Sequence, residues 1–186
     1  MKKLFFTMLL CVISISVSAQ AHLTFKGVPI DGSLTSFVEK LKAKGFTSVV
    51  NNSDGATMKG NFGGKICKIR VGITKTSKKV YLVIVQVEES DSWRTLKSTY
   101  NEYKSLLTTK YGKGKSVECF FSPYEEGDGE EMNALRLRKC LYKTTFETSK
   151  GYVMLTIAHV EGGDEVMLCY FDKINRALFE REKKTC

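Results

Sequence analysis

Two segments of the chain repeat apolar residues every three or four positions, which is the spacing of one face of a helix. The first helix is predicted to begin after Ser33, a favoured N-cap residue, and to end before Gly45. The second is predicted to begin near Asp91 and Ser92 and to end at Gly112. The apolar positions are Leu34, Phe37, Val38 and Leu41 in the first helix and Trp93, Leu96, Tyr100, Tyr103 and Leu107 in the second.

Most of the remaining chain alternates apolar and polar residues, as strands do. In segment 65–73, Cys67, Ile69 and Val71 fall on one side, whereas Lys68 and Arg70 fall on the other. This alternation indicates an antiparallel sheet with one covered face and one face toward water. The predicted strands are 56–62, 65–73, 80–87, 116–121, 137–147, 152–160 and 165–171.

The order of these elements repeats along the chain, because each predicted helix is followed by strands joined through short turns. We therefore predict an α+β protein with two similar α-β-β-β halves, residues 22–90 and 91–186. Together they form one compact domain, an antiparallel sheet with two helices packed on one face.

The residues that carry this order are 34–46 with the strands to 87, and 93–112 with the strands to 171. Their layout is similar to that of the β-lactamase inhibitor protein, which is built from two tandem α/β repeats. It also resembles small exported bacterial proteins of unknown function. The resemblance implies a binding protein.

The N-terminus has the pattern of a signal peptide. Lys2 and Lys3 precede an apolar run over residues 4–17, and cleavage is expected after Ala19 or Ala21. The run is short for a membrane span, and no later segment of comparable length lacks charge. We therefore expect export to the periplasm or cell surface of a bacterium, removal of residues 1–21 with Cys11, and no transmembrane segment afterwards. His22 would then lie near a new, mobile N-terminus.

Composition and charge narrow the possible partners. The 186 residues include 29 Lys and Arg against 20 Asp and Glu, a formal charge of +9, and 42% hydrophobic residues. This mixture excludes disordered and collagen-like chains. The basic residues are scattered and are not interleaved with exposed aromatics, so nucleic acid is not an expected partner. An acidic protein or envelope component fits the charge better.

Five cysteines remain after the predicted cleavage, namely Cys67, Cys119, Cys140, Cys169 and Cys186. An exported protein favours disulfides. The expected bridge is Cys119–Cys140, which would close a loop of about 20 residues and stabilise the fold by roughly 3 kcal/mol. The alternative is that the cysteines are buried as small apolar residues. The chain contains no Cys-x-x-Cys, so it shows neither a zinc knuckle nor a thioredoxin-type pair.

A long acidic loop between predicted strands is the expected contact surface, since long loops on rigid scaffolds often carry function. Its candidate contact residues are Tyr124, Glu125, Glu126, Asp128, Glu130 and Glu131. A weak calcium site is chemically possible there, but the spacing does not fit an EF-hand. We favour a solvated acidic hairpin tip.

Catalytic signals are sparse. Gly114-Lys115-Ser116 lacks the first glycine and the strand–loop–helix context of a phosphate-binding loop, and neither Gly-x-Ser-x-Gly nor His-Glu-x-x-His occurs. We therefore predict a non-catalytic binding or interaction module that uses the open sheet face or loop 123–131, with no cofactor and no metal. The alternative is a small envelope enzyme with a carboxylate site or a Cys/His site around His159.

Overall fold

A computed structural model describes residues 21–184 and gives a mixed α+β fold. Except for Ala21, the predicted signal peptide lies outside the described residues, as do Cys11 and Cys186. The helices are α1 (Leu34–Lys42), α2 (Trp93–Tyr111), α3 (Glu131–Arg136) and α4 (Lys173–Lys184). The strands are β1 (Thr24–Phe25), β2 (Val28–Pro29), β3 (Thr47–Asn52), β4 (Gly55–Phe62), β5 (Lys65–Ile73), β6 (Val80–Glu89), β7 (Lys115–Phe120), β8 (Cys140–Thr148), β9 (Gly151–Val160) and β10 (Gly163–Asp172).

Eight strands form one antiparallel sheet in the order β3-β4-β5-β6-β10-β9-β8-β7, and β1 and β2 form a separate hairpin. Strands β3 to β6 make a first meander and β7 to β10 a second. The last strand of each meander lies at the centre of the sheet, where β6 pairs with β10. The first strands, β3 and β7, form the two edges.

The two predicted helices are confirmed with their caps. The Ser33 hydroxyl accepts a hydrogen bond from the Ser36 amide at 3.3 Å, and Ser92 does the same for Thr95 at 3.4 Å. Helix α2 ends at Gly112, whose φ of 82° suits glycine. α1 contacts β3 and β4, whereas α2 contacts β6, β8, β9 and β10.

The face beneath α2 forms the hydrophobic core. Register places one side chain from each inner strand in a row across the sheet, and each of these side chains is fully buried. The row is Met58, Ile69, Val85, Leu168 and Leu155. Thr144 of β8 continues it and is satisfied by the hydroxyls of Tyr100 (2.6 Å) and Ser116 (2.9 Å).

Four elements depart from the sequence prediction. Edge strand β3 is exposed along its whole length, so it has no alternation to reveal it, and four strands rather than three follow α1. The short helix α3 occupies residues expected to lie between strands. The hairpin β1–β2 has only two residues in each strand. The charged helix α4 fully buries only Asn175.

The sequence predicts two helices packed on one face of the sheet. Helix α4 is an addition to that prediction, and it lies on the face opposite α1 and α2. The Phe179 ring stacks on Tyr81 with centroids 4.3 Å apart. The Arg176 guanidinium lies 4.5 Å from the Phe171 ring centroid. Phe171 alternates with the buried Tyr170 of the core face, so α4 covers one end of the other face.

The start of the described chain packs against the fold through Asp172, near the residue, His22, that the sequence places at a mobile N-terminus. The buried carboxylate of Asp172 accepts hydrogen bonds from the amides of Leu23 and Asn175, both at 2.9 Å. His22 Nδ1 lies 3.1 Å from the same carboxylate. Asp172 therefore joins the N-terminal segment to the first turn of α4.

Candidate functional site

The acidic loop is closed by its own carboxylates. Asp128 accepts a hydrogen bond from the Glu130 amide at 2.7 Å, as in an Asx turn, and another from the Glu125 amide at 2.8 Å. The Glu131 carboxylate accepts one from the Gly127 amide at 2.8 Å. These carboxylates therefore fold the loop, which makes them less available to a partner.

Glu126 fastens the acidic loop to the rest of the fold. Its carboxylate pairs with Lys97 of α2 and accepts a hydrogen bond from the Tyr142 hydroxyl at 3.1 Å. The Lys97 hydrogen bond is the main reason that the pKa of Glu126 lies below its ordinary value. Tyr124 packs partly buried against the core. Within residues 21–184, no three His, Cys, Asp or Glu side chains come together as a possible metal site.

The expected Cys119–Cys140 bridge is not formed, and both thiols are free. The β7–β8 register places Cys119 opposite Leu141 and Cys140 opposite Phe120. Neighbouring residues in a strand point to opposite faces, so the two thiols lie on different faces of the sheet. Phe120 packs against Trp93 and Tyr142, which places Cys140 on the core face.

His159 belongs to a charged cluster at the end of β9. Its Nδ1 lies 2.8 Å from Asp164 Oδ1, and Asp164 is 2% exposed. Arg136 of α3 reaches Asp164 Oδ2 at 2.8 Å through Nη2 and contacts Asp91 at 3.1 Å. The buried Asp164 carboxylate is thus held by two side chains, and it connects α3 to the β9–β10 hairpin.

A cavity of about 470 Å³ adjoins this cluster and is lined by both His159 and Cys140. The thiol is nevertheless not set up as a nucleophile. Burial raises the pKa of Cys140 to about 12, and the negative charges of neighbouring groups, including Glu126, act in the same direction. No hydrogen bond connects Cys140 to His159 in the described part of the chain, so the Cys/His pairing of the enzyme alternative is not assembled there.

The sheet face opposite α1 and α2 carries a different set of side chains. Register aligns them in two rows that cross the sheet from β4 to β8. One row is Thr57, Arg70, Ile84, Cys169, Met154 and Thr145, and the other is Lys59, Lys68, Gln86, Met167, Thr156 and Lys143. We call these twelve side chains the open face.

The open face is mixed in burial and in character, because Gln86, Met167 and Cys169 are buried at its centre and most of the other side chains are half-exposed. Ile84 and Met154 are half-buried apolar side chains, whereas Lys59, Lys68 and Lys143 are basic. Arg70 pairs with the buried Glu165 at 2.8 Å. Lysines toward the outer strands therefore flank a partly apolar centre, and their charge attracts acidic groups.

Comparison of the chain with protein-family models, with curated proteins and with solved structures found no match. No helix within residues 21–184 has both the length and the hydropathy needed to cross a membrane.

The alternation in β5 identifies its solvent-facing side through Lys68 and Arg70, but it does not reveal the rows across the sheet to which these residues belong. A row depends on the register of six strands, and a shift by one residue exchanges the two faces of a strand. The sequence signal that could have revealed the open face is the alternation of polar and apolar residues in β8 and β9, where Lys143 and Thr156 interrupt apolar residues.

Proposed function

We propose that this chain is an exported, non-catalytic binding module of the bacterial cell envelope, which binds an acidic protein or envelope component through the open face. The observation that carries the proposal is the contrast between the two faces of one sheet. The face beneath α2 is fully buried, whereas most side chains of the open face beyond α4 are half-exposed, with lysines toward the outer strands.

The fold supports a role in surface recognition. A continuous eight-stranded sheet gives the open face a rigid frame, so that binding would order few additional groups. The lysines would steer an acidic partner, and the apolar centre would supply the area that leaves water. The acidic loop becomes a secondary contact site in this proposal, because most of its carboxylates already have intramolecular partners.

We also infer that the chain consists of two related halves, in keeping with the layout of the β-lactamase inhibitor protein. The order of elements supports this inference, since α1 is followed by the meander β3–β6 and α2 by the meander β7–β10. If two similar units were joined edge to edge through the last strand of each, those two strands would pair at the centre of the sheet, as β6 and β10 do.

Site-specific photo-crosslinking in the producing cell tests the proposed surface. A photoreactive amino acid at Lys68 or at Thr145 samples each row of the open face. The matched controls are Asn101 and Thr109, which are exposed on the far side of α2. We expect the same adduct from both open-face positions and none from the controls.

Charge reversal sharpens this experiment. Lys68→Glu with Lys143→Glu should lower the adduct yield at Thr145, because both substitutions repel an acidic partner. Adducts of equal yield from α2 positions, or an adduct that is indifferent to the charge reversal, would contradict the proposal. The intact mass of the mature protein tests export separately, since cleavage after Ala19 or Ala21 gives two distinct masses.

The alternative remains a small envelope enzyme that uses the cavity beside His159 and Cys140. It predicts a thiol that alkylates rapidly in the native protein near neutral pH and a rate that falls in His159→Gln. The raised pKa of Cys140 argues for the binding module instead.

A further inference from the structure

A second cavity lies on the core side of the sheet, away from the open face. It has a volume of about 320 Å³ and sits between the β1–β2 hairpin, the β4–β5 turn and the C-terminal half of α2. This volume is at the lower end of the range for small-molecule sites. The cavity is therefore a separate feature from the surface proposed above.

The walls of the cavity are aromatic and aliphatic. Phe25 stacks on Phe62 with ring centroids 5.8 Å apart, and Tyr170 meets Phe25 edge-on at 5.4 Å. Tyr103 continues the series, 6.4 Å from Phe62. Leu106 of α2 lies at the cavity and is 56% exposed, which leaves an apolar side chain at the border with solvent.

The polar groups of the cavity are donors. Tyr103 and Tyr170 both line it, and neither hydroxyl has a hydrogen-bond partner among residues 21–184. Burial raises the pKa of Tyr103 to about 12 and also raises that of Tyr170, so both phenols keep their protons at neutral pH. Both hydroxyls are therefore free to donate a hydrogen bond to an acceptor bound in the cavity.

Two cations also line the cavity. Lys26 Nζ lies 5.7 Å from the centroid of the Phe62 ring, and Lys110 Nζ lies 4.9 Å from that of Tyr111. No carboxylate is among the lining residues, and neither lysine forms an ion pair within the described chain. The residues that line the cavity therefore carry a net positive charge, which favours an anion over a cation.

We propose that this cavity binds a small amphiphile with an apolar body and a carboxylate head, of the medium-chain fatty-acid type. The apolar body would fill the space between Phe25, Phe62 and Leu107. The carboxylate would accept hydrogen bonds from the tyrosine hydroxyls and pair with Lys26 and Lys110. The apolar body would then meet apolar walls, and the carboxylate would meet donors that have no carboxylate partner in the described chain.

Calorimetric titration with three ligands of equal chain length tests the proposal. The probes are decanoate, decanol and decyltrimethylammonium, which share an apolar chain and differ in the charge of the head. We expect saturable binding of decanoate to the mature protein, weaker binding of decanol, and weakest binding of decyltrimethylammonium. Chemical-shift changes at the methyl groups of Leu106 and Leu107 would locate decanoate in the cavity.

Three variants assign the contacts. Lys26→Gln with Lys110→Gln should weaken decanoate binding roughly five- to tenfold by removing two exposed charges. Tyr103→Phe should weaken it roughly two- to tenfold by removing one hydrogen bond. Lys40→Gln on α1 is the matched control and should change nothing, because Lys40 does not line the cavity.

Circular dichroism confirms that each variant is folded, and Lys110→Arg, which keeps the charge, should retain binding. Three results would overturn the proposal. They are the absence of saturable decanoate binding, equal affinity for all three probes, and an affinity for decanoate that the double lysine substitution leaves unchanged. None of these results bears on the open face, so the two proposals are tested independently.

Discussion

Replacement of the buried Asp172 by alanine should destabilise the fold more than any surface substitution. Asp172 is fully buried, and its two carboxylate oxygens accept hydrogen bonds from different parts of the chain. Oδ1 caps α4 through the Asn175 amide, and Oδ2 accepts from the Leu23 amide, each at 2.9 Å. Asp172→Ala removes both acceptors at once.

The expected cost follows from these two contacts. Loss of an N-cap costs about 0.5–2 kcal/mol. A buried amide left without a partner costs about 1–3 kcal/mol, and Leu23 would become one. We therefore expect Asp172→Ala to lower the free energy of unfolding by about 2–4 kcal/mol. Asp172→Asn keeps one acceptor oxygen and should cost about half as much.

Urea unfolding of the mature protein, monitored by far-ultraviolet circular dichroism, measures this difference in the free energy of unfolding when the dependence on urea concentration (the m value) is the same for both proteins. Asp54→Ala is the matched control, since Asp54 is an exposed aspartate in the β3–β4 turn, and it should change the free energy by no more than about 0.5 kcal/mol. If Asp172→Ala unfolds at the same urea concentration as the control, the N-terminal segment is not held by this carboxylate and the reasoning is refuted.

Three further predictions test the core, the thiols and the acidic loop. Gly60→Ala places a Cβ atom 2.1 Å from Cδ1 of Phe46, so the midpoint of urea unfolding should fall by the equivalent of about 1–3 kcal/mol, and an unchanged midpoint would disprove the close contact. Iodoacetamide at pH 8 should label the half-exposed Cys119 before Cys140, because burial raises the pKa of Cys140 to about 12. Peptide mass analysis measures the order of labelling, and labelling of Cys140 first would favour the enzyme alternative. Because the Lys97 hydrogen bond lowers the pKa of Glu126, the stability that Glu126 contributes is present above its ordinary pKa of 4.5 and is lost as pH falls through the lower, folded-state value. Glu126→Gln should therefore show a shallower loss of stability in acid than the parent protein, and parallel acid profiles would contradict this explanation.

The parts of the fold that the sequence predicts correctly are those with a strong local signal. Helix α2 is recognisable because its five apolar positions keep helical spacing and Ser92 and Gly112 mark its ends. Strand β5 is recognisable because burial alternates along it. In both cases one face is buried, so packing leaves its period in the sequence.

The elements that escape prediction lack that period. Strand β3 is exposed along its length, and α4 is a charged helix that touches the sheet through a few side chains such as Phe179 and Arg176. The candidate sites are harder still to predict. The open face depends on register, and the second cavity brings together Phe25, Tyr103 and Tyr170 from three distant segments. No local pattern contains such an arrangement.

The central position of β6 and β10 has a consequence for how the chain reaches its native state. Within residues 21–184, every strand pair except β6–β10 joins strands that are neighbours in sequence. Closing a short loop between neighbouring strands costs little entropy, whereas bringing distant strands together costs more and is slower. The two meanders should therefore form early, and β6 should pair with β10 late. The docking of β6 against β10, with α2 closing over the joint, would then be the rate-limiting step of folding. A chain cut between β6 and α2 should accordingly assemble from its two pieces at a rate that depends on their concentrations.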